Sequence, residues 1–128
     1  MYIGESVVNK NIIIVDDMIA SGNSIIDTAR KLKEMGAKKI FIVATFVLLT
    51  AGEKNLIDAY NNNLFEKLYT TNLSYIPDKI KNNEWINVVD CSNQLANIIN
   101  NLNLGDSIEE ISYDNETLIK EIERNKNQ

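Results

Sequence analysis

Short apolar runs alternate along the chain with stretches in which hydrophobic residues recur every three or four positions. The first run, Asn11-Ile-Ile-Ile-Val15, is β-branched and typical of a strand buried on both faces. It ends at Asp16-Asp17. After a polar turn at 20–24, hydrophobic residues recur at helical spacing from Ile25, and Gly36 supplies a helix stop. The same patterns predict strands at 39–45, 67–71 and 86–89, and helices at 53–60 and 92–102, the last capped by Ser92 with Leu95, Ile98, Ile99 and Leu102 on one face.

Strands that alternate with helices predict an α/β fold, in which a parallel sheet of about four strands with flanking helices is joined by right-handed crossovers. Residues 72–83, which include Pro77, read as a loop. We expect residues 1–111 to form the domain. The polar residues 112–128 are expected to form a C-terminal tail with a frayed helix.

Composition narrows the classes of function. Hydrophobic residues make up 45 % of the 128 residues, enough for a packed core, and the formal charge is −5. Because the 13 basic residues are scattered, we expect no nucleic-acid partner. The longest apolar run, near 41–49, is far shorter than the roughly 20 residues of a membrane helix. The N-terminus has no basic start followed by an apolar stretch, so we expect no signal peptide. The single cysteine, Cys91, fits a reducing cytoplasm. No histidine is available for catalysis or metal binding.

The end of the first predicted strand carries the candidate chemistry. Ligands of parallel sheets bind beyond the carboxyl ends of strands, where Asp16 and Asp17 stand. The following loop leads into a helix, whose N-terminal N–H groups favour a phosphate. Gly22 allows close backbone approach, and Ser21 and Ser24 can donate hydroxyl hydrogen bonds. Because the two carboxylates would repel a phosphate, they suit the diol of a sugar or a cation, and a sugar phosphate satisfies both halves.

Two other interpretations of this segment stay open. In the simpler one, Asp17 starts the turn, and Ser21 or Ser24 only caps the helix. In the more remote one, the acidic pair belongs to a receiver-like signalling domain and binds magnesium. That interpretation needs an aspartate at the end of the second strand, where residues 39–45 supply none.

The residues Ile13-Ile-Val-Asp-Asp-Met-Ile-Ala-Ser-Gly-Asn-Ser24 resemble the phosphoribosyl-pyrophosphate signature of the type I phosphoribosyltransferase-like fold. Four further segments fall in the order and spacing of the ribose-phosphate pyrophosphokinase family, so that the resemblance covers about residues 2–111. They are Gly36-Ala-Lys-Lys-Ile40, Val43-Ala-Thr-Phe46, Leu68-Tyr-Thr-Thr-Asn-Leu73 and Val88-Val-Asp-Cys-Ser92.

The resemblance implies a role in making phosphoribosyl pyrophosphate from ATP and ribose 5-phosphate, a step of nucleotide biosynthesis. By carry-over, Asp16 and Asp17 hold the ribose hydroxyls, and the 5-phosphate lies on Ala20, Ser21, Gly22, Asn23 and Ser24. The chain resembles about the last third of such an enzyme, and the family's ATP loops, metal-binding histidine and catalytic loop would lie outside it. We therefore expect no catalytic residue and no activity in the isolated chain. In the complete enzyme we expect Mg²⁺ bound with ATP, and a homo-oligomer.

The departures from the family pattern keep a second function open. The loop acid is replaced by Ala20, and Phe46-Val47 stands where many members have His-Gly. A nonenzymatic, phosphoribosyl-binding regulatory homologue is therefore the alternative. Thr70, Thr71 and Asn72 end a predicted strand and either line a nucleotide or regulatory site or form a plain loop. Cys91 and Trp85 are expected to pack in the interior.

Overall fold

The computed structural model describes residues 4–105, together with 107, 119, 123 and 124. The chain divides into two compact units, residues 1–90 and 91–128. The first unit contains β1 (Asn11–Ile19), α1 (Asn23–Glu34), β2 (Lys39–Val47), α2 (Lys54–Asn61), β3 (Lys67–Thr71), α3 (Asp78–Lys81) and β4 (Ile86–Val89). The second contains α4 (Ser92–Leu104). The predicted domain boundary at 111 and most of the predicted tail lie outside the described residues, and both stay predictions.

The four strands form one parallel sheet in the order β1-β2-β3-β4, which confirms the predicted α/β fold. Neighbouring strands in this sheet are also successive in the chain, so all four carboxyl ends lie along one edge. Backbone hydrogen bonds continue past the strands at that edge. Leu48 N–H donates to the carbonyl of Ile19 at 2.9 Å, and Asn72 N–H donates to that of Val89 at 3.0 Å.

One face of the sheet is buried. Ile40, Ile42 and Leu68 are fully buried, and they belong to the same core cluster as the inner face of α1. The alternate positions of the two outermost strands point the other way. Ile13 is 65 % and Val15 is 75 % exposed. The prediction that the first strand is buried on both faces is therefore wrong, because an apolar run does not reveal how many faces of a strand are covered.

The first strand is also longer than predicted. Asp16 and Asp17 lie within β1, which continues to Ile19. Asp16 pairs with Ala44, and pairing continues to Ile19 and Val47, both of which are buried. The parallel ladder with β2 thus carries the backbone past the two carboxylates. The carboxylates are tolerated there because Asp17 is exposed and Asp16 only half-buried.

Helix boundaries follow the predictions with local exceptions. Gly36, at a φ of 93°, ends the α1 segment as expected. The predicted loop 72–83 contains the single turn α3, which the buried Ile80 secures to the core.

The predicted cap at Ser92 is wrong, because Cys91 occupies that position without a side-chain capping bond and α4 begins at Ser92. Trp85 is buried as expected, and Cys91 is half-buried. Of the residues that the structure describes, no helix has the length and apolar character that crossing a bilayer requires.

We expect the isolated 128-residue chain to self-associate, since β1 is an edge strand of the described sheet with apolar side chains on its uncovered face. Val15→Lys should move the mass in solution toward the 14.5 kDa of one chain, as measured by gel filtration with light scattering. Tyr75→Lys, at a side chain that is 85 % exposed outside the sheet, is the matched control and should change nothing. A wild-type monomer at all concentrations with a sharp melt would contradict this expectation.

Candidate functional site

A cleft of about 200 Å³ lies where β1 ends and α1 begins. It is lined by Asp16, Met18, Ile19, Ala20, Ser21, Gly22, Ser24 and Ile25. The cleft therefore brings one acidic residue of the strand together with the small and hydroxyl-bearing residues of the loop. This is the combination that the sequence predicts for a sugar phosphate.

The loop owes its shape to one glycine. Gly22 has a φ of 85°, in the left-handed region that strongly favours glycine, and it is the N-cap residue of α1. Its carbonyl accepts the first helical hydrogen bond, from Ile26 N–H at 3.0 Å. This conformation turns the chain from the strand into the helix within a few residues.

The helix α1 begins without a side-chain cap. The residue at the cap position is Gly22, and no side chain makes a capping hydrogen bond there. The Ser21 hydroxyl is 3.5 Å from Asn23 N–H, at the outer limit of a hydrogen bond. The prediction that Ser21 or Ser24 caps the helix is therefore wrong. The first turn of α1 instead presents its N–H groups where an anion can use them.

Two of the seven predicted site residues are placed elsewhere. Asp17 is exposed, and as the next residue along β1 its side chain points to the opposite face from that of Asp16. Its backbone N–H donates to Asp16 Oδ1 at 2.9 Å, which fixes the Asp16 carboxylate. Asn23 lines a separate groove of about 440 Å³ between α1 and α2. The structure thus brings together Asp16, Ala20, Ser21, Gly22 and Ser24.

Residues of the β2–α2 connection and of the first turn of α2 contact the loop. Thr50 N–H donates to the carbonyl of Ala20 at 3.0 Å, and Asn55 Nδ2 donates to Asn23 Oδ1 at 3.0 Å. Leu56 is fully buried, and a Cβ atom at Gly22 would lie 3.3 Å from its side chain. Sequence reasoning missed these supporting residues because each acts on the loop from a distant part of the chain.

The predicted secondary site at Thr70, Thr71 and Asn72 forms hydrogen bonds within the protein. Thr70 Oγ1 and Thr71 Oγ1 donate to the carbonyl of Thr45, at 3.3 and 2.7 Å. Asn72 Nδ2 donates to Asp90 Oδ1 at 2.7 Å. Asn72 also lines a cleft of about 240 Å³ with Leu73, Ser74, Tyr75, Ile76, Lys81 and Val88. A nucleotide or regulatory role for these residues stays a prediction.

Two ion pairs around α3 shift pKa values of side chains that form them. Lys79 donates to Glu53 at 2.6 Å, and this hydrogen bond holds the pKa of Glu53 below its ordinary value of 4.5. The ion pair of Lys81 with Asp78, at 2.7 Å, lowers the pKa of Asp78 and raises that of Lys81. The described residues contain no group of three or more histidine, cysteine or acidic side chains that could hold a metal ion.

Comparison with known proteins shows the family of this chain. The family model described as phosphoribosyl synthetase-associated domain matches residues 1–113. The chain belongs to this family. It is 30 % identical over 109 residues to ribose-phosphate pyrophosphokinase of Haemophilus influenzae, covering 84 % of this chain and 33 % of that protein. Over 43 residues it is 49 % identical to the enzyme of the same name from Pyrococcus abyssi, covering 34 % of this chain and 15 % of that protein.

A solved structure shares the fold. Phosphoribosylpyrophosphate synthetase from Mycobacterium smegmatis superimposes with a TM-score of 0.69 at 26 % identity, covering 80 % of this chain and 33 % of that one. The family and the α/β fold that the sequence motifs predict are therefore confirmed. The chain spans about a third of the length of the curated relatives that match most of it.

Gly22→Ala should lower stability more than Gly52→Ala. Both glycines have positive φ, 85° and 78°, so each substitution incurs a left-handed backbone cost of about 1–2 kcal/mol. At Gly22 the added Cβ also meets Leu56 at 3.3 Å, whereas nothing lies within 4 Å of Gly52. Overpacking at Gly22 should add on the order of 1 kcal/mol. Urea unfolding of the two variants measures the difference, and equal losses would show that Leu56 does not constrain the loop.

Proposed function

We propose that this chain is the ribose 5-phosphate-binding part of a ribose-phosphate pyrophosphokinase. The observation that carries the proposal is the cleft in which Asp16 faces a glycine-containing loop and the uncapped start of α1. The names of its relatives supply the reaction, since the matched proteins are ribose-phosphate pyrophosphokinases. A regulatory homologue that only binds the sugar phosphate would need the same cleft, and no feature of the described residues favours it.

The two halves of the cleft suit the two halves of the substrate. The 5-phosphate would accept hydrogen bonds from the first-turn N–H groups of α1 and from the hydroxyls of Ser21 and Ser24. Asp16 would accept hydrogen bonds from ribose hydroxyls. Because Asp16 Oδ1 already accepts the N–H of Asp17, the carboxylate is held in place before the ligand binds. This arrangement gives Asp17 no direct contact with the sugar.

Within the complete enzyme, these residues would position the nucleophile. The ribose 1-hydroxyl would attack the β-phosphorus of ATP, and AMP would leave. Positioning is a large share of catalysis in phosphoryl transfer. ATP and Mg²⁺ would be held by parts of the enzyme outside this chain, and no residue here is assigned as a metal ligand or general base.

The cysteine content and the exposed face of β1 bear on the compartment and the assembly of the enzyme. The single cysteine is compatible with a reducing cytoplasm. The uncovered apolar face of β1 supports assembly of the complete protein with further chain or with other copies. We therefore propose a cytoplasmic homo-oligomer.

Asp16→Asn should weaken binding of ribose 5-phosphate about tenfold. The variant keeps Oδ1 as acceptor for the N–H of Asp17 but neutralises the carboxylate. Charge-assisted hydrogen bonds of about 1.5–3 kcal/mol then become neutral ones of about 0.5–1.5 kcal/mol. Isothermal titration of the 128-residue chain with ribose 5-phosphate measures the loss.

Asp17→Asn is the matched control, because it removes the same charge from the neighbouring residue on the opposite face of β1. Its affinity should stay within about twofold of wild type, since exposed charges at a distance are largely screened. Wild-type affinity in Asp16→Asn would sink the sugar-phosphate assignment. An equal loss in both variants would contradict the contact through Asp16 alone.

A further inference from the structure

One hydrogen bond near the cleft links two side chains 32 residues apart. Asn55 Nδ2, on α2, donates to Asn23 Oδ1, on α1, at 3.0 Å. Both residues are exposed and line the groove between the two helices. An exposed amide–amide bond adds little to stability because water offers similar partners. Its main physical effect is on the direction in which the Asn23 carboxamide points.

Asn23 stands next to the phosphate loop, on the side of the groove. It is the first residue of α1, and an asparagine oxygen can accept a hydrogen bond from its own or a neighbouring backbone N–H. The N–H groups within its reach are those of the first helical turn, which the phosphate would need. Yet no side chain caps α1, and Asn23 Oδ1 accepts from Asn55 instead.

We propose that Asn55 is a positioning residue that holds the Asn23 carboxamide out of the phosphate loop. By occupying Asn23 Oδ1, it keeps the first-turn N–H groups of α1 available to an anion. The inference rests on the proposed function, because it concerns the same phosphate site. It assigns to α2 a role in ligand affinity that is separate from its packing through Leu56.

The surroundings of the two asparagines fit this role. The three charged side chains that line the groove are each in an ion pair: Asp27 with Arg30 at 2.6 Å, and Asp58 with Lys54 of the same helix. Residue 56, next to Asn55, is the leucine that packs against Gly22, so the start of α2 is fixed relative to the loop. Asn55 can therefore hold the side chain of Asn23 in one direction.

Titration calorimetry of three variants of the full 128-residue chain with ribose 5-phosphate tests the proposal. Asn55→Leu keeps the approximate shape of the side chain and removes its donor. It should lower the affinity about fivefold, the ratio expected if a side-chain to backbone hydrogen bond of ordinary net strength competes with the ligand. Its melting temperature should not fall. Asn23→Ala alone should bind within about twofold of wild type.

The double variant decides between positioning and packing. Asn23→Ala combined with Asn55→Leu should restore the wild-type affinity, because the competing oxygen is gone. If Asn55 acts only through packing, Asn55→Leu lowers the melting temperature and the double variant stays weak, which would overturn the proposal. Unchanged affinity in Asn55→Leu would overturn it as well.

The same measurements keep this proposal distinct from the one on which it depends. If the wild-type chain does not bind ribose 5-phosphate, the proposed function itself fails, and the role of Asn55 fails with it. If the wild type binds and Asp16→Asn weakens it while Asn55→Leu does not, only the role of Asn55 fails. A titration with inorganic phosphate should repeat the Asn55→Leu effect and should not be weakened by Asp16→Asn, because phosphate occupies the loop alone and the nearby carboxylate only repels it.

Discussion

The left-handed backbone at Gly22 is the constraint on which the cleft depends. β1 has to reach Ile19 to bury that side chain, and α1 has to begin by Asn23 to present Ile25 and Ile26 to the core. Only a sharp turn joins the two, and its φ of 85° is accessible to glycine at little cost. Leu56 then packs where a side chain at residue 22 would stand. The absence of that side chain therefore serves both the turn and the packing of α2.

The cleft combines an acidic residue with the backbone N–H groups and hydroxyls that suit a phosphate. A carboxylate and a phosphate repel each other, yet the proposed ligand, a sugar phosphate, would need an acceptor for its hydroxyls and donors for its phosphate in one cleft. Asp16 reaches the cleft from β1, while the hydroxyl-bearing residues belong to the loop and to the first turn of α1. Because the strand continues past Asp16, the carboxylate is fixed by the β ladder and by the N–H of Asp17. The loop is fixed separately, through Thr50 and Asn55.

The sequence predicts much of this architecture, because short apolar runs bounded by polar residues mark the strands. The bounds of β3 and β4 agree with the prediction. β1 was predicted too short, since its last residues are held by pairing with β2, which a local pattern does not reveal. The polar first turn of α1 is invisible to hydrophobic periodicity, so its start at Asn23 was missed. The loop residues of the cleft could be predicted from their chemistry. The extension of β1 that turns Asp17 away from the cleft depends on tertiary structure. So do the direction of the Asn23 side chain and the contacts of Asn55 and Leu56.

The most direct test is to observe which backbone N–H groups respond to the ligand. A ¹⁵N–¹H NMR titration of the 128-residue chain with ribose 5-phosphate reports on each amide separately. We expect saturable shifts that are largest at residues 21–25 and extend to Asp16 and Asp17. Shifts confined to the groove around Asn55 and Asn62, or to the cleft around Asn72 and Tyr75, with residues 21–25 unchanged, would contradict this expectation.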